Sequence, residues 1–168
     1  MFGGRILNNS HRGDLVEMMV AMALGPDWQF VGLGWHPWDF QRGWGEDRIR
    51  IQVKQSAALQ LWGPTKSPIV SLNWSSSPPS YFEEYNPGEQ IESEGYFCEI
   101  FVIGIHPVKD AEVADQCDPK QWLFSVIPAK ALKAGSQSIG LRRIIDTWPP
   151  VVWGSLKSVV SAELQRLA

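Results

Sequence analysis

The stretch Arg48-Ile49-Arg50-Ile51-Gln52-Val53-Lys54 alternates between polar and aliphatic residues from end to end. A period of two marks a half-buried β-strand, because successive side chains leave the backbone on opposite faces of a sheet. Ile49, Ile51 and Val53 therefore face a core, and Arg48, Arg50, Gln52 and Lys54 share the other face. Upstream, a turn at Gly43-Trp44-Gly45 separates this strand from short strands expected at 37–42 and 28–34. Earlier still, Leu15, Met18, Met19 and Met22 recur at helical spacing until Gly25-Pro26, so the spacing predicts a helix over 14–24. Downstream, the pattern predicts a short helix at 56–62, strands at 69–74, 96–105 and 122–127, a helical turn at 130–134 and a terminal helix over 151–167. A helix, three strands, a helix and further strands predict an α/β sandwich with a central mixed β-sheet flanked by helices.

The composition narrows the class. A chain of 168 residues with 44% apolar and 20% charged residues suits one globular domain spanning 1–168 and excludes disordered or collagen-like architectures. Fifteen Lys and Arg against eighteen Asp and Glu exclude a uniformly basic domain that coats phosphates, so nucleic-acid binding, if present, is local. The charge is uneven: residues 1–66 carry 7 basic and 6 acidic groups, 67–120 carry 2 and 10, and 121–168 carry 6 and 2. Within the acidic segment, residues 75–95 are rich in Ser, Pro, Glu and Asn, which predicts a solvated surface loop. Cys98 and Cys117 form no CxxC pair and read as reduced thiols. Residues 1–14 lack a charged segment followed by an apolar one, and no apolar run is long enough to cross a bilayer, so a cytoplasmic, non-membrane protein is expected. Nine Trp residues imply either a large core or a surface that stacks on bases or sugars. Trp28, Trp122 and Trp153 sit in apolar periodic stretches, whereas Trp35, Trp38 and Trp44 bracket the polar residues considered next.

Glu17 on the first helix, Asp39 at the second strand and Gln52 with Lys54 on the third fall where this architecture would gather them. Gln52 and Lys54 share a strand face, so an amide oxygen and an ammonium enter one space, and an adjacent strand brings a carboxylate. A hard cation such as Mg2+ takes one or two carboxylates and keeps several waters, which suits these donors. The lysine supplies a point charge for an attacking water or a phosphate. The bland readings are a strand with a solvated polar face, a capping box between Asp14 and Glu17, and an ion pair of Asp39 with Arg42 or Arg48. His11, His36 and His106 are scattered and form no zinc motif, His36 being at best a supporting neighbour of Asp39. Gly32-Leu33-Gly34 lacks the third glycine of a dinucleotide fingerprint. Lys130, Lys133, Arg142, Arg143 and Lys157 read as a solvated basic face or a DNA-backbone contact.

The order of a helix Glu17, then Pro37-Trp38-Asp39, then Gln52-Val53-Lys54 with Gln55-Ser56, resembles the PD-(D/E)XK nuclease superfamily, the restriction-endonuclease-like fold. The motif likeness spans residues 10–62, and Asp118-Pro119-Lys120-Gln121-Trp122 leading to Val126-Ile127-Pro128 looks like small uncharacterised bacterial members. The resemblance implies an αβββαβ core and a nuclease dependent on Mg2+ or Mn2+ that hydrolyses phosphodiester bonds of DNA. Asp39, Gln52 and Glu17 match its metal ligands and Lys54 its catalytic lysine, with a homodimer as the route to cutting both strands. Trp38 intrudes between Pro37 and Asp39, and Gln52 replaces the usual acid and removes one negative charge. A domain of this fold that has lost its metal and binds nucleic acid or a protein partner is the alternative, and a Trp-lined sugar binder is a third reading.

Overall fold

The structure is a computed structural model and describes residues 5–32 and 36–167. Helix α1 (Asn9–Leu24) opens on Asn8, whose side-chain oxygen accepts from the His11 N–H at 2.9 Å. It closes at Gly25, whose N–H donates to the Ala21 carbonyl. The helix therefore begins five residues before the expected start. That places Asp14 inside it and removes the capping-box reading of Glu17. Val16, Met19, Val20 and Leu24 form its buried stripe. Met18 and Met22, expected in that stripe, are 59% and 65% exposed, because the buried face is centred on Val16 and Val20.

Strands β1 (Gln29–Phe30) and β2 (Phe40–Arg42) are shorter than the spacing predicts. Residues 33–35, which include Trp35 and part of the glycine pair, lie outside the described residues. The turn from β2 into β3 (Ile49–Ala57) depends on Gly43, whose φ is 77° and where a Cβ would stand 2.7 Å from the Asp47 carbonyl oxygen. β3 continues through Ala57, so the helix expected at 56–62 does not form. The chain turns instead into a hairpin of β4 (Leu59–Gln60) and β5 (Gly63–Pro64). After β6 (Ile69–Ser71) and the six-residue α2 (Ser80–Tyr85) come β7 (Ile100–His106) and β8 (Leu123–Pro128). The turn expected at 130–134 is a 3-10 turn at Ala129–Ala131, and β9 (Ser138–Gly140) pairs with β6 outside the main sheet. Next come α3 (Leu141–Thr147), β10 (Val151–Val152) and α4 (Leu156–Leu167), the last being shorter than the terminal helix expected.

The main sheet is mixed, with six strands in the order β1-β2-β3-β7-β8-β10. Only β3 and β7 pair in parallel, from Ile51 opposite Ile100 to Ala57 opposite His106. Every residue of β7 is buried, because the strand has a core on each face. Val102 packs with α1 and α4, beside Ile51, Val53, Phe124 and Leu156. Phe101 and Ile103 pack on the opposite side with Trp38, Leu72, Phe82 and Ile144. The α/β sandwich around a mixed sheet is thus present.

Residues 75–95 lie mostly exposed at the surface, as expected, but are not a free excursion. Reciprocal backbone bonds between Ser75 and Gly95 close the segment, and Phe82 is buried 5.6 Å from the Trp38 ring centroid. Phe82 and Ile91 supply apolar anchors that the polar composition of the segment masks. Trp38 and Trp122 are fully buried, Trp28 and Trp153 partly so, and Trp44 is exposed. Cys98 is buried, Cys117 is exposed, and both are free thiols. Among the described residues, no helix is long and apolar enough to cross a membrane.

Candidate active site

Asp39 lies where β2 parts from β3. Its N–H donates to the Ile51 carbonyl at 2.9 Å, and its Oδ2 accepts from the Val53 N–H at 2.6 Å. The carboxylate thus replaces a strand carbonyl at the end of the ladder. The opposite residue, Gln52, donates from Nε2 to the Pro37 carbonyl at 2.9 Å. A carbonyl can only accept, so the amide nitrogen must face Pro37. The amide oxygen, Oε1, is left buried without a hydrogen-bond partner among the described residues. Such an atom incurs the full desolvation penalty unless something else occupies its lone pairs.

Glu17 and Lys54 complete the group. Burial, then the charges of Asp39 and Asp14, push the Glu17 carboxyl up to about 7, with Lys54 opposing. Burial also pulls Lys54 below the ordinary lysine range, against the charges of Asp39, Cys98 and Glu17. Asp39 is raised by burial, against the Val53 N–H and the Lys54 charge. Each of the three feels at least one of the others, so α1, the entry to β2 and the middle of β3 bring them within electrostatic reach. Gln52 joins them as the neighbour of Lys54 on the same strand face. Glu17 also lines an open cavity of about 340 Å³ with Asp14, Met18, Ala21 and Phe30.

The expected ion-pair partners of Asp39 are engaged elsewhere. Arg42 stacks over Trp28, with its guanidinium carbon 5.2 Å from the ring centroid, and Arg48 pairs with Glu89. His36 packs edge-on against Trp38 and lies 3.9 Å from Glu89. Trp38 carries no open stacking face because it is fully buried.

The donor set is two carboxylates and one amide oxygen. No group of three or more His, Cys, Asp or Glu side chains able to hold a metal occurs among the described residues. A site of this kind does not suit zinc, whose sites are built on His and Cys, or calcium, which takes six to eight oxygen ligands. It fits a hard, strongly hydrated divalent cation, which takes few carboxylates and draws its remaining ligands from water and substrate phosphate. The orphaned Gln52 oxygen is the observation that favours this fit.

One feature beside the site escaped the reading of the sequence. Arg48 and Arg50, on the Gln52–Lys54 face, both lie over the Trp38 indole, at 4.7 and 5.2 Å from its centroid. Arg50 is bound by Glu92 and Glu99, and Arg48 by Glu89. Strand alternation placed both arginines on this face, but nothing in the sequence identified their carboxylate partners. No protein-family model, curated protein or solved structure matches the chain.

Proposed function

We propose that the chain is a nuclease of the restriction-endonuclease-like PD-(D/E)XK type, hydrolysing phosphodiester bonds of DNA with Mg2+ or Mn2+. The observation that carries this reading is the gathering of Glu17, Asp39 and Lys54 from three elements beside a buried Gln52 oxygen that no donor among the described residues satisfies. With the separate small sheets β4-β5 and β6-β9 set aside, the order α1, β1, β2, β3, α2, β7 supports an αβββαβ core, with the second helix reduced to six residues.

Asp39, Gln52 and Glu17 would hold the cation, which supplies a Lewis acid and lowers the pKa of water. Lys54 would act as the base: its amine, having lost its own proton to solvent, takes one from the attacking water as the new oxygen–phosphorus bond forms. Its desolvated ammonium gives up a proton more easily than a solvated one, while Asp39 keeps it in place. The charged form of the same ammonium offsets charge that builds on the phosphate. Asp39 stays fixed through Val53, so its second oxygen is positioned by the β2–β3 junction rather than by a free rotamer. One such site addresses one strand, which makes a two-fold dimer the natural assembly for cutting a duplex.

Supercoiled-plasmid nicking in Mg2+ or Mn2+ tests the reading. Asp39→Ala and Lys54→Ala are expected to lose cleavage by more than about a hundredfold, and equal cleavage by wild type and both variants would overturn it. The alternative, a metal-free interaction module for nucleic acid or a protein partner, is favoured by Gln52 standing where the resemblance expects an acid. Calorimetry distinguishes the two: no Mg2+ or Mn2+ uptake together with retained binding of DNA or of a protein partner supports the module.

A further inference from the structure

Arg48 and Arg50 lie in two layers of contact. Beneath them are fixed parts of the fold. The Trp38 indole is buried under both guanidinium groups. Glu99 is tied to β3 by its own N–H, which donates to the Arg50 carbonyl at 3.0 Å, and by its Oε2, which accepts from the Arg50 N–H at 2.5 Å. Above them is the segment between Asn86 and Gly95. Glu92 grips the Arg50 fork with both oxygens, at 2.7 and 2.5 Å, while Glu89 and the Gln90 carbonyl hold Arg48 at 2.5 and 3.0 Å. The layers differ in exposure: the Arg50 side chain is 6% exposed and that of Glu92 is 52%. A cavity of about 660 Å³ opens between the strap and the strand, with Trp44 at its rim.

A carboxylate bound by both arms of a guanidinium reproduces the geometry of an arginine-bound phosphate. Were Glu89 and Glu92 displaced, Arg50 would keep Glu99 as a carboxylate partner, Arg48 would lose its own, and both guanidinium groups would still have the Trp38 ring beneath them. We propose that Arg48 and Arg50 form a binding site for the phosphodiester backbone of nucleic acid, and that Glu89 and Glu92 occupy it in the free protein as phosphate mimics that the ligand displaces. The inference rests on the nucleic-acid reading above and deepens it. Arg50, Gln52 and Lys54 follow one another on a single strand face, so a backbone held at Arg50 lies about 13 Å, at roughly 3.3 Å per residue, from the lysine of the proposed site.

The test is binding without cleavage, in EDTA, read by fluorescence anisotropy on the full chain with a labelled DNA duplex and an RNA of the same sequence. E89Q/E92Q removes the mimic. E83Q/E84Q makes the same charge change on exposed residues of the neighbouring α2. E89Q/E92Q is expected to bind about tenfold more tightly than E83Q/E84Q, and adding R48Q to abolish the gain. A gain on DNA alone or on RNA alone names the nucleic acid. Equal affinities of the two double variants, or no binding to either probe, overturn the proposal. Hydrogen exchange on the wild-type chain gives a second reading without substitutions. Amides of 86–95 are expected to exchange faster when the nucleic acid is bound, and unchanged or slower exchange counts against displacement. Because no metal is present, a failed plasmid-nicking assay leaves these outcomes untouched, and a failed displacement leaves the nicking result standing.

Discussion

The carboxylate of Asp39 is both a strand partner of Val53 and a candidate ligand, and two substitutions separate these roles. Asp39→Asn keeps an oxygen that can accept from the Val53 N–H. It is expected to melt within about 1 kcal/mol of wild type, while losing metal-dependent nicking. Asp39→Ala leaves that N–H unsatisfied and is expected to cost about 1–3 kcal/mol as well. Wild-type nicking by the Asn variant would remove the charge from the chemistry. Glu17 offers a test of the electrostatics in the metal-free chain. Its carboxyl titrates at about 7 when folded, against 4.5 ordinarily, so between these values the folded chain binds protons more readily than the unfolded one. Stability therefore falls as pH rises through that window. Glu17→Gln is expected to raise stability by about 1 kcal/mol at pH 8, a figure discounted for partial exposure, and by nearly nothing at pH 4.5. Thermal melts in EDTA at the two pH values check this, and a difference that does not change with pH would refute it. Some of this was legible in sequence. Alternation alone put Gln52 and Lys54 on one face, whereas the bond of Asp39 to Val53 and the charge that reaches Glu17 from Asp39 depend on where β2 leaves the ladder.

At the level of elements, α1 approaches the sheet closely at Gly104. A Cβ there would stand 2.7 Å from Val16 Cγ1 and 3.5 Å from Trp122, so glycine is what lets the helix sit on β7. Gly104→Ala is expected to cost about 1–3 kcal/mol and to shift the turn carrying Val16 and Glu17 away from Lys54. Both a lower melting temperature and reduced metal-dependent nicking should follow. A variant with wild-type melting would show that the helix moves freely at this contact. The sequence marked β3, β7 and β8 because alternation or a continuous apolar run is a local signal. It misread 56–62, where Ala57, Ala58, Leu59, Gln60 and Leu61 have helix-compatible composition. What holds Gln55, Ser56 and Ala57 in strand is pairing with Gly104, Ile105 and His106, nearly fifty residues away. The exposed Met18 and Met22 show the same limit. Four apolar residues at helical spacing did not tell which neighbours of Val16 would meet the sheet.

Across the whole molecule, charge is sorted rather than balanced. The acidic strap, residues 86–95, neutralises arginines at the start of β3, while the C-terminal third presents Lys130, Lys133, Arg142, Arg143 and Lys157 to solvent. Two of these are already engaged, Arg142 with Asp146 and Lys130 with the Arg166 carbonyl. The sequence showed the segregation as segment charges, but not that the acidic block covers a cationic strand, because that contact joins residues some forty positions apart. The two readings of the basic residues predict different salt dependence. If a duplex is held by Arg48, Arg50 and Lys54, about three phosphates are neutralised. The plot of log affinity against log salt concentration should then have a slope near −3, at about −0.9 per phosphate. If the C-terminal face contributes as well, its five cations would steepen the slope to about −7. Titrations in EDTA between about 50 and 200 mM KCl separate the two by roughly several hundredfold in the loss of affinity. The shallow slope is expected, and K130Q/K133Q should leave it unchanged. A steep slope that K130Q/K133Q flattens by about two would move the nucleic-acid contact off β3 and onto the C-terminal face.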